Sequence, residues 1–96
     1  MTDARHDYIE KAKAGLDKLD AKLTRLESRA NEKKGEMRQE MHETLGELRD
    51  SRKRAARSLE ELRKASEPAW DDMKKGMEQA WNSLSSAVDR AAERYQ

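Results

Sequence analysis

The sequence predicts an all-α fold: a long helix followed by a shorter one, arranged as a helical hairpin or coiled coil. Three observations carry that expectation. Ala, Glu, Lys, Leu and Arg supply 55 of the 96 residues and 43% of the chain is charged, a composition that favours long helices. Leu, Ile, Val and Phe together number only 11, too few for a thick core that must offset about 1–2 kcal/mol of backbone entropy per ordered residue. The apolar residues also recur at helical spacing. On a wheel of about 100° per residue, Ile9, Leu16, Leu19, Leu23, Leu26, Ala30, Met37, Met41, Leu45, Leu48, Ala55, Leu59 and Leu62 share one arc about 100° wide.

That stripe does not drift, because its period is eleven rather than seven. Leu26, Met37, Leu48, Leu59, Trp70, Trp81 and Ala92 follow at intervals of eleven residues, and Leu62, Met73, Leu84 and Tyr95 form a second such series. Eleven residues in three turns leave a long helix nearly straight or slightly right-handed. The window Asn31–Glu36 holds no apolar residue, with Asn31 and Gly35 as break candidates. It has no Pro and no Ser, Thr or Asp to cap a new helix, and a mid-helix Gly costs only about 1 kcal/mol. The expectation is one helix over residues 3–65, about 95 Å long. The alternative is a turn at 31–36, giving three helices of near-equal length in a bundle.

The second boundary rests on Ala65-Ser66-Glu67-Pro68. Pro cannot accept a place in a helix interior and biases the residue before it away from helical backbone. Arg63 and Lys64 suit a helix C-terminus, and Asp71 and Asp72 suit the first turn of the next. Ser66 or Glu67 would cap a helix with Pro68 in its first turn, so the second helix is expected over 67–95. A hairpin here buries more of the Trp-bearing face than a kinked rod does. That face carries Trp70, Met73, Met77, Trp81, Leu84, Val88, Ala91 and Tyr95. It reads as packing against the first helix or a partner chain. The rival reading is a helix lying on a lipid surface, with Ser83, Ser85 and Ser86 on a weakly charged side, although the segment is net acidic.

Around this junction the chain resembles a known family. The segment Glu61–Leu84 combines a Leu-spaced charged helix, an Ala65-Ser66 break, and the pairs Ala69-Trp70 and Ala80-Trp81 eleven residues apart. This is similar to short bacterial coiled-coil proteins described as stress-response proteins after a cyanobacterial member. The resemblance implies an all-helical, non-enzymatic bacterial protein. Pro68 departs from the small or polar residue expected at its position.

Other features bear on chemistry and location. There is no Cys, hence no thiolate metal site or disulfide. The N-terminal residues lack the apolar run of a secretory signal, and no stretch of about 18 apolar residues occurs, so a cytoplasmic location is expected. Net charge is +1, without the strong field of a dedicated nucleic-acid binder. The basic run Arg49–Arg57 places Arg49, Lys53 and Arg57 on one face; it reads as a solvated face with pairs such as Asp50/Arg54 and Glu60/Lys64, or as a weak phosphate contact. Lys34 and Arg52 interrupt the apolar stripe and either snorkel past the seam or fix its register. His6 and His42 would stand about 54 Å apart on one helix and read as surface residues. No catalytic, cofactor or metal motif is present.

The functional expectation is therefore a non-enzymatic, self-associating structural or interaction protein without a cofactor. A lone long helix cannot bury its stripe, and the shorter helix covers only half of it. Ile9, Leu16, Leu19, Leu23, Leu26, Met37, Met41, Leu45, Leu48, Leu59 and Leu62 are then the self-association residues of an antiparallel homodimer or higher oligomer. Trp70, Met73, Met77, Trp81, Leu84, Val88 and Tyr95 are the C-terminal packing or lipid face.

Overall fold

The computed structural model describes residues 3–95. It contains three α-helices: α1 (Asp3–Glu32), α2 (Gly35–Arg63) and α3 (Glu67–Arg94). A helix of this length spans about 45 Å at 1.5 Å per residue, and the molecule measures 53 × 18 × 17 Å. Its long dimension is one helix, so the chain reverses twice. The all-α class is as the sequence predicts, in the three-helix form rather than with a single helix over residues 3–65.

The first reversal corrects the expectation of continuity. α1 ends where the Lys33 N–H donates to the Ala30 carbonyl at 3.1 Å. Lys34 is extended (φ −133°, ψ 157°) and caps α2 with no side-chain hydrogen bond. Gly35 takes φ +63°, a left-handed conformation that costs a non-glycine residue about 1–2 kcal/mol. The reversal thus needs neither Pro nor a polar cap. It is driven by what it buries: Leu16, Leu19, Leu23 and Leu26 of α1 join Met41, Leu45, Leu48, Leu59 and Leu62 of α2 in one core. Each large side chain taken from water contributes about 1.5–3 kcal/mol, far more than the two helical residues lost at the turn.

The second reversal falls where the sequence places it. Lys64 and Ala65 N–H groups donate to Glu61 and Leu62 carbonyls, both at 3.1 Å. Ser66 is the N-cap of α3, with Pro68 in the first turn. Its hydroxyl makes no cap bond; instead its carbonyl accepts from Ala69 and Trp70 N–H at 3.2 and 3.0 Å. Arg5, at the start of α1, donates to the Ala65 carbonyl at 2.6 Å and so ties α1 to this turn. The chain runs up, down and up, a hairpin rather than a kinked rod at Pro68.

Charged pairs bridge the three helices at their rims. Arg52 of α2 donates to Asp20 of α1 at 2.9 Å, and Arg49 pairs with Glu27. Lys22 of α1 meets Asp89 of α3 at 3.3 Å. Arg94 of α3 pairs with Glu40 of α2, which also accepts from the Tyr95 hydroxyl at 3.0 Å. Arg52, whose side chain is partly exposed, reaches from α2 to α1 through its bond to Asp20. Its Nε is buried without a partner among the described residues. Lys34 lies in the first turn, outside any seam.

Candidate interaction face

The three seams of the bundle are not alike. α1 and α2, and α2 and α3, pack along most of their lengths through Leu, Met, Val and Ala. α1 and α3 approach each other less closely, and along their first halves the contact is aromatic. Tyr8 and Trp70 pack edge to face, with ring centroids 6.0 Å apart and planes at 81°. The Arg5 guanidinium carbon lies 4.3 Å from the Trp70 ring centroid, and the Lys74 ammonium lies 5.0 Å from that of Tyr8. At exposed sites each such cation–π contact is worth about 0.5–1 kcal/mol. Burial, and secondarily the Glu78 carboxylate, push the Tyr8 phenol above its ordinary pKa.

About two turns further along α1, Trp81 covers Gly15. A Cβ on Gly15 would sit 2.9 Å from the Trp81 Cη2, closer than real Cβ contacts come, and a tight 3.1 Å from its Cζ2. Tyr8, Ala12, Gly15 and Leu19 recur at four, three and four residues, so α1 presents a small-residue edge beside its Leu stripe. Between α1 and α3 this leaves a groove of about 360 Å³, lined by Tyr8, Gly15, Met77, Glu78 and Trp81 among others. On the other side of Trp70 a second depression of about 500 Å³ is lined by Arg5, Ile9, Lys13 and Arg63. Both Trp side chains are half-buried, flanked by open space.

The expected self-association residues have a more internal location than the sequence suggested. Ile9, Leu16, Leu19, Leu23, Leu26, Met41, Leu45, Leu48, Leu59 and Leu62 are all buried within one chain. The premise that the N-terminal half of a long helix lacks cover is thereby removed, because α2 and α3 cover it. Met37 is the exception, at 46% exposure the only large exposed hydrophobic side chain among the described residues. On α3 and at its C-cap, Met77, Leu84, Val88, Ala91 and Tyr95 are buried, while Trp70, Met73 and Trp81 pack against the core from its edge.

The basic run is partly engaged: Arg49 and Arg52 bridge to α1, and Arg54 donates to the Ser51 hydroxyl at 2.9 Å rather than to Asp50. Glu60 pairs with Arg63 and lies 3.9 Å from Lys64. The hydrogen bond from Arg63 holds the Glu60 carboxyl below its ordinary range and raises the guanidinium in turn. His6 and His42 are exposed on different helices, near opposite ends of the bundle. Among the described residues, no group of three or more His, Cys, Asp or Glu side chains is placed to hold a metal ion. No helix among them is long and apolar enough to cross a membrane.

Sequence reasoning found the faces but missed Arg5, Tyr8 and Gly15 as their complement. The four-three-four spacing from Tyr8 to Leu19 was the available signal. Comparison of the chain with protein-family models, with curated proteins and with solved structures finds no match.

Proposed function

We propose that this protein is a non-enzymatic structural or interaction protein that works by self-association of its helices. One observation supports the reading above others: among the described residues the core holds only hydrophobic residues, and several charged side chains pair between helices at the rims. Catalysis draws on polar groups preorganised in a water-excluded site. Here the polar groups select how helices align, which is the business of an assembly. The working compartment proposed is the cytoplasm, which a cysteine-free, strongly charged chain suits. A role in bacterial stress response follows from the resemblance of Glu61–Leu84 and is proposed on that ground.

The test is the mass of the purified chain by light scattering across micromolar concentrations. A mass that rises with concentration, at constant helicity, supports the proposal. A monomer mass throughout overturns it.

A second reading has its own observation. Trp70, Met73 and Trp81 are only partly covered along α3, and aromatic residues at the edge of an amphipathic helix suit a lipid interface. Trp fluorescence decides it: a blue shift with co-sedimentation on anionic vesicles supports lipid binding, and an unchanged spectrum removes it. Binding of nucleic acid through Arg49–Arg57 is the weaker alternative, since Arg49 and Arg52 are drawn toward α1.

A further inference from the structure

We infer that the partner in self-association is a second copy of this chain, joined by exchange of α1 about a hinge at Lys33-Lys34-Gly35. The inference rests on the self-association proposed above and specifies its geometry. In the exchanged dimer the hinge straightens, α1 and α2 become one helix, and α1 of each chain packs on α2 and α3 of the other.

Four independent features of the chain converge on this hinge. The first is phase. Leu26 and Leu48 flank the turn in the same eleven-residue series as Met37, so a straightened helix keeps its apolar stripe on one side without twisting. A connection that existed only to reverse the chain has no need of that continuity. The second is the turn itself. Only Lys33 and Lys34 lie outside helix, and the N-cap lacks a side-chain bond. A short hinge loop of this kind, with little holding it closed, invites exchange.

The third feature is Gly35. It has the only positive φ among the described residues, and a Cβ there would meet nothing within 4 Å. At the turn itself the closed form rests on the Gly35 backbone, with no side-chain packing around that residue; the α1–α2 core that favours the reversal forms equally when α1 is exchanged.

The fourth is register. Within the chain, Asp20 stands opposite Arg52 and Glu27 opposite Arg49, so the antiparallel pairing is centred close to Met37. When the same pairs form between chains, the two-fold axis of the dimer passes near Met37 and sets it against its own copy. Met37 is the large apolar residue that the closed form leaves exposed. The contacts elsewhere are those already seen in one chain: Lys22 with Asp89, Arg5 with Ala65, Tyr8 with Trp70. Exchange thus adds contact at the hinge and loses none of these.

The experiment uses the full chain in three forms. The sequence has no Cys, so Met37→Cys introduces a single thiol. Under mild oxidation it should crosslink two chains in high yield with helicity retained, whereas Glu47→Cys, also on α2, should not. Gly35→Ala penalises the left-handed turn and favours the straight helix, and should tighten dimerisation by at least about a hundredfold. Inserting Gly-Ser-Gly-Ser after Lys34 lengthens the turn and breaks the helical phase, and should return the chain to monomer. A dimer that forms without Met37→Cys crosslinking and without a response to Gly35→Ala overturns the exchange and leaves self-association standing. A monomer in every form, Gly35→Ala included, overturns both.

Discussion

The seam between α1 and α2 and the seam between α1 and α3 share a helix yet are built from different materials. The first is aliphatic, with Leu23 fully buried beneath the Asp20–Arg52 and Glu27–Arg49 pairs. The second sets half-buried aromatic rings on Ala12 and Gly15 and leaves a groove beside them. Aliphatic side chains interdigitate at near-crystalline density, so any loss there leaves a void. A large ring lying on a glycine at the edge of a bundle keeps one face toward water and can move. The first seam therefore carries stability, and the second carries adjustability.

The largest expected effect comes from breaking that contrast at its strong side. Leu23→Ala should cost about 3–4 kcal/mol, as for other fully buried Leu truncations that leave a cavity. Trp81→Ala removes a larger side chain but from a half-exposed position, and should cost about 1–2 kcal/mol. Urea unfolding followed by circular dichroism measures both. Equal losses would mean that the aromatic seam is as structural as the aliphatic one.

The sequence made the stripes legible because helical phase is a local property, read from spacing alone. It made the second turn legible because Pro68 acts on its own neighbours, whatever packs around them. The first turn has no such marker. Asn31–Glu36 reads as a polar stretch of one continuous helix, because no residue there marks a cap and the eleven-residue period keeps Leu26, Met37 and Leu48 in phase across it. What selects the reversal is tertiary: a glycine free to adopt φ +63° and a stripe on α2 that matches the one on α1. The α1–α3 face escaped for a related reason. Ala12 and Gly15 look like filler until Trp81 arrives from a distant part of the chain.

Gly15 sharpens the comparison by a smaller amount. In an open helix position Gly→Ala gains about 0.5–1 kcal/mol, and Gly46→Ala should show that gain, since nothing lies within 4 Å of a Cβ there. At Gly15 the added methyl meets the Trp81 ring, so the gain should be cancelled or reversed by about 1 kcal/mol of overpacking. Tryptophan emission should move to longer wavelength as the ring is pushed toward solvent. Matching stabilisation at both positions, with an unchanged spectrum, would mean that Trp81 does not rest on Gly15.

On the aliphatic side, Arg52→Met tests what the rim charges contribute. Arg52 and Asp20 are partly exposed, and the Arg52 Nε is buried without a partner among the described residues. Replacing a part-buried guanidinium by an apolar side chain of similar length should change stability by less than about 1 kcal/mol in either direction. The ion pair then serves alignment more than strength. A loss several times larger would place the pair among the supports of the seam.

The smallest effect belongs to Tyr8, and pH reads it. Its phenol is held above the ordinary value of about 10 by burial first and by Glu78 second. A folded pKa above the unfolded one means that the folded chain holds the proton more tightly. The linked stabilisation is complete below about pH 10 and is lost as pH rises through the folded value. Ionisation puts a phenolate beside Glu78 on the open seam, so α3 should loosen along α1 before the α1–α2 seam responds. Absorbance near the phenolate band, compared between the natural chain and Tyr8→Phe, isolates this titration. A Tyr8 midpoint at or below that of free tyrosine would show the seam to be fully wetted, and the aromatic contacts there would then contribute nothing to holding α3 in place.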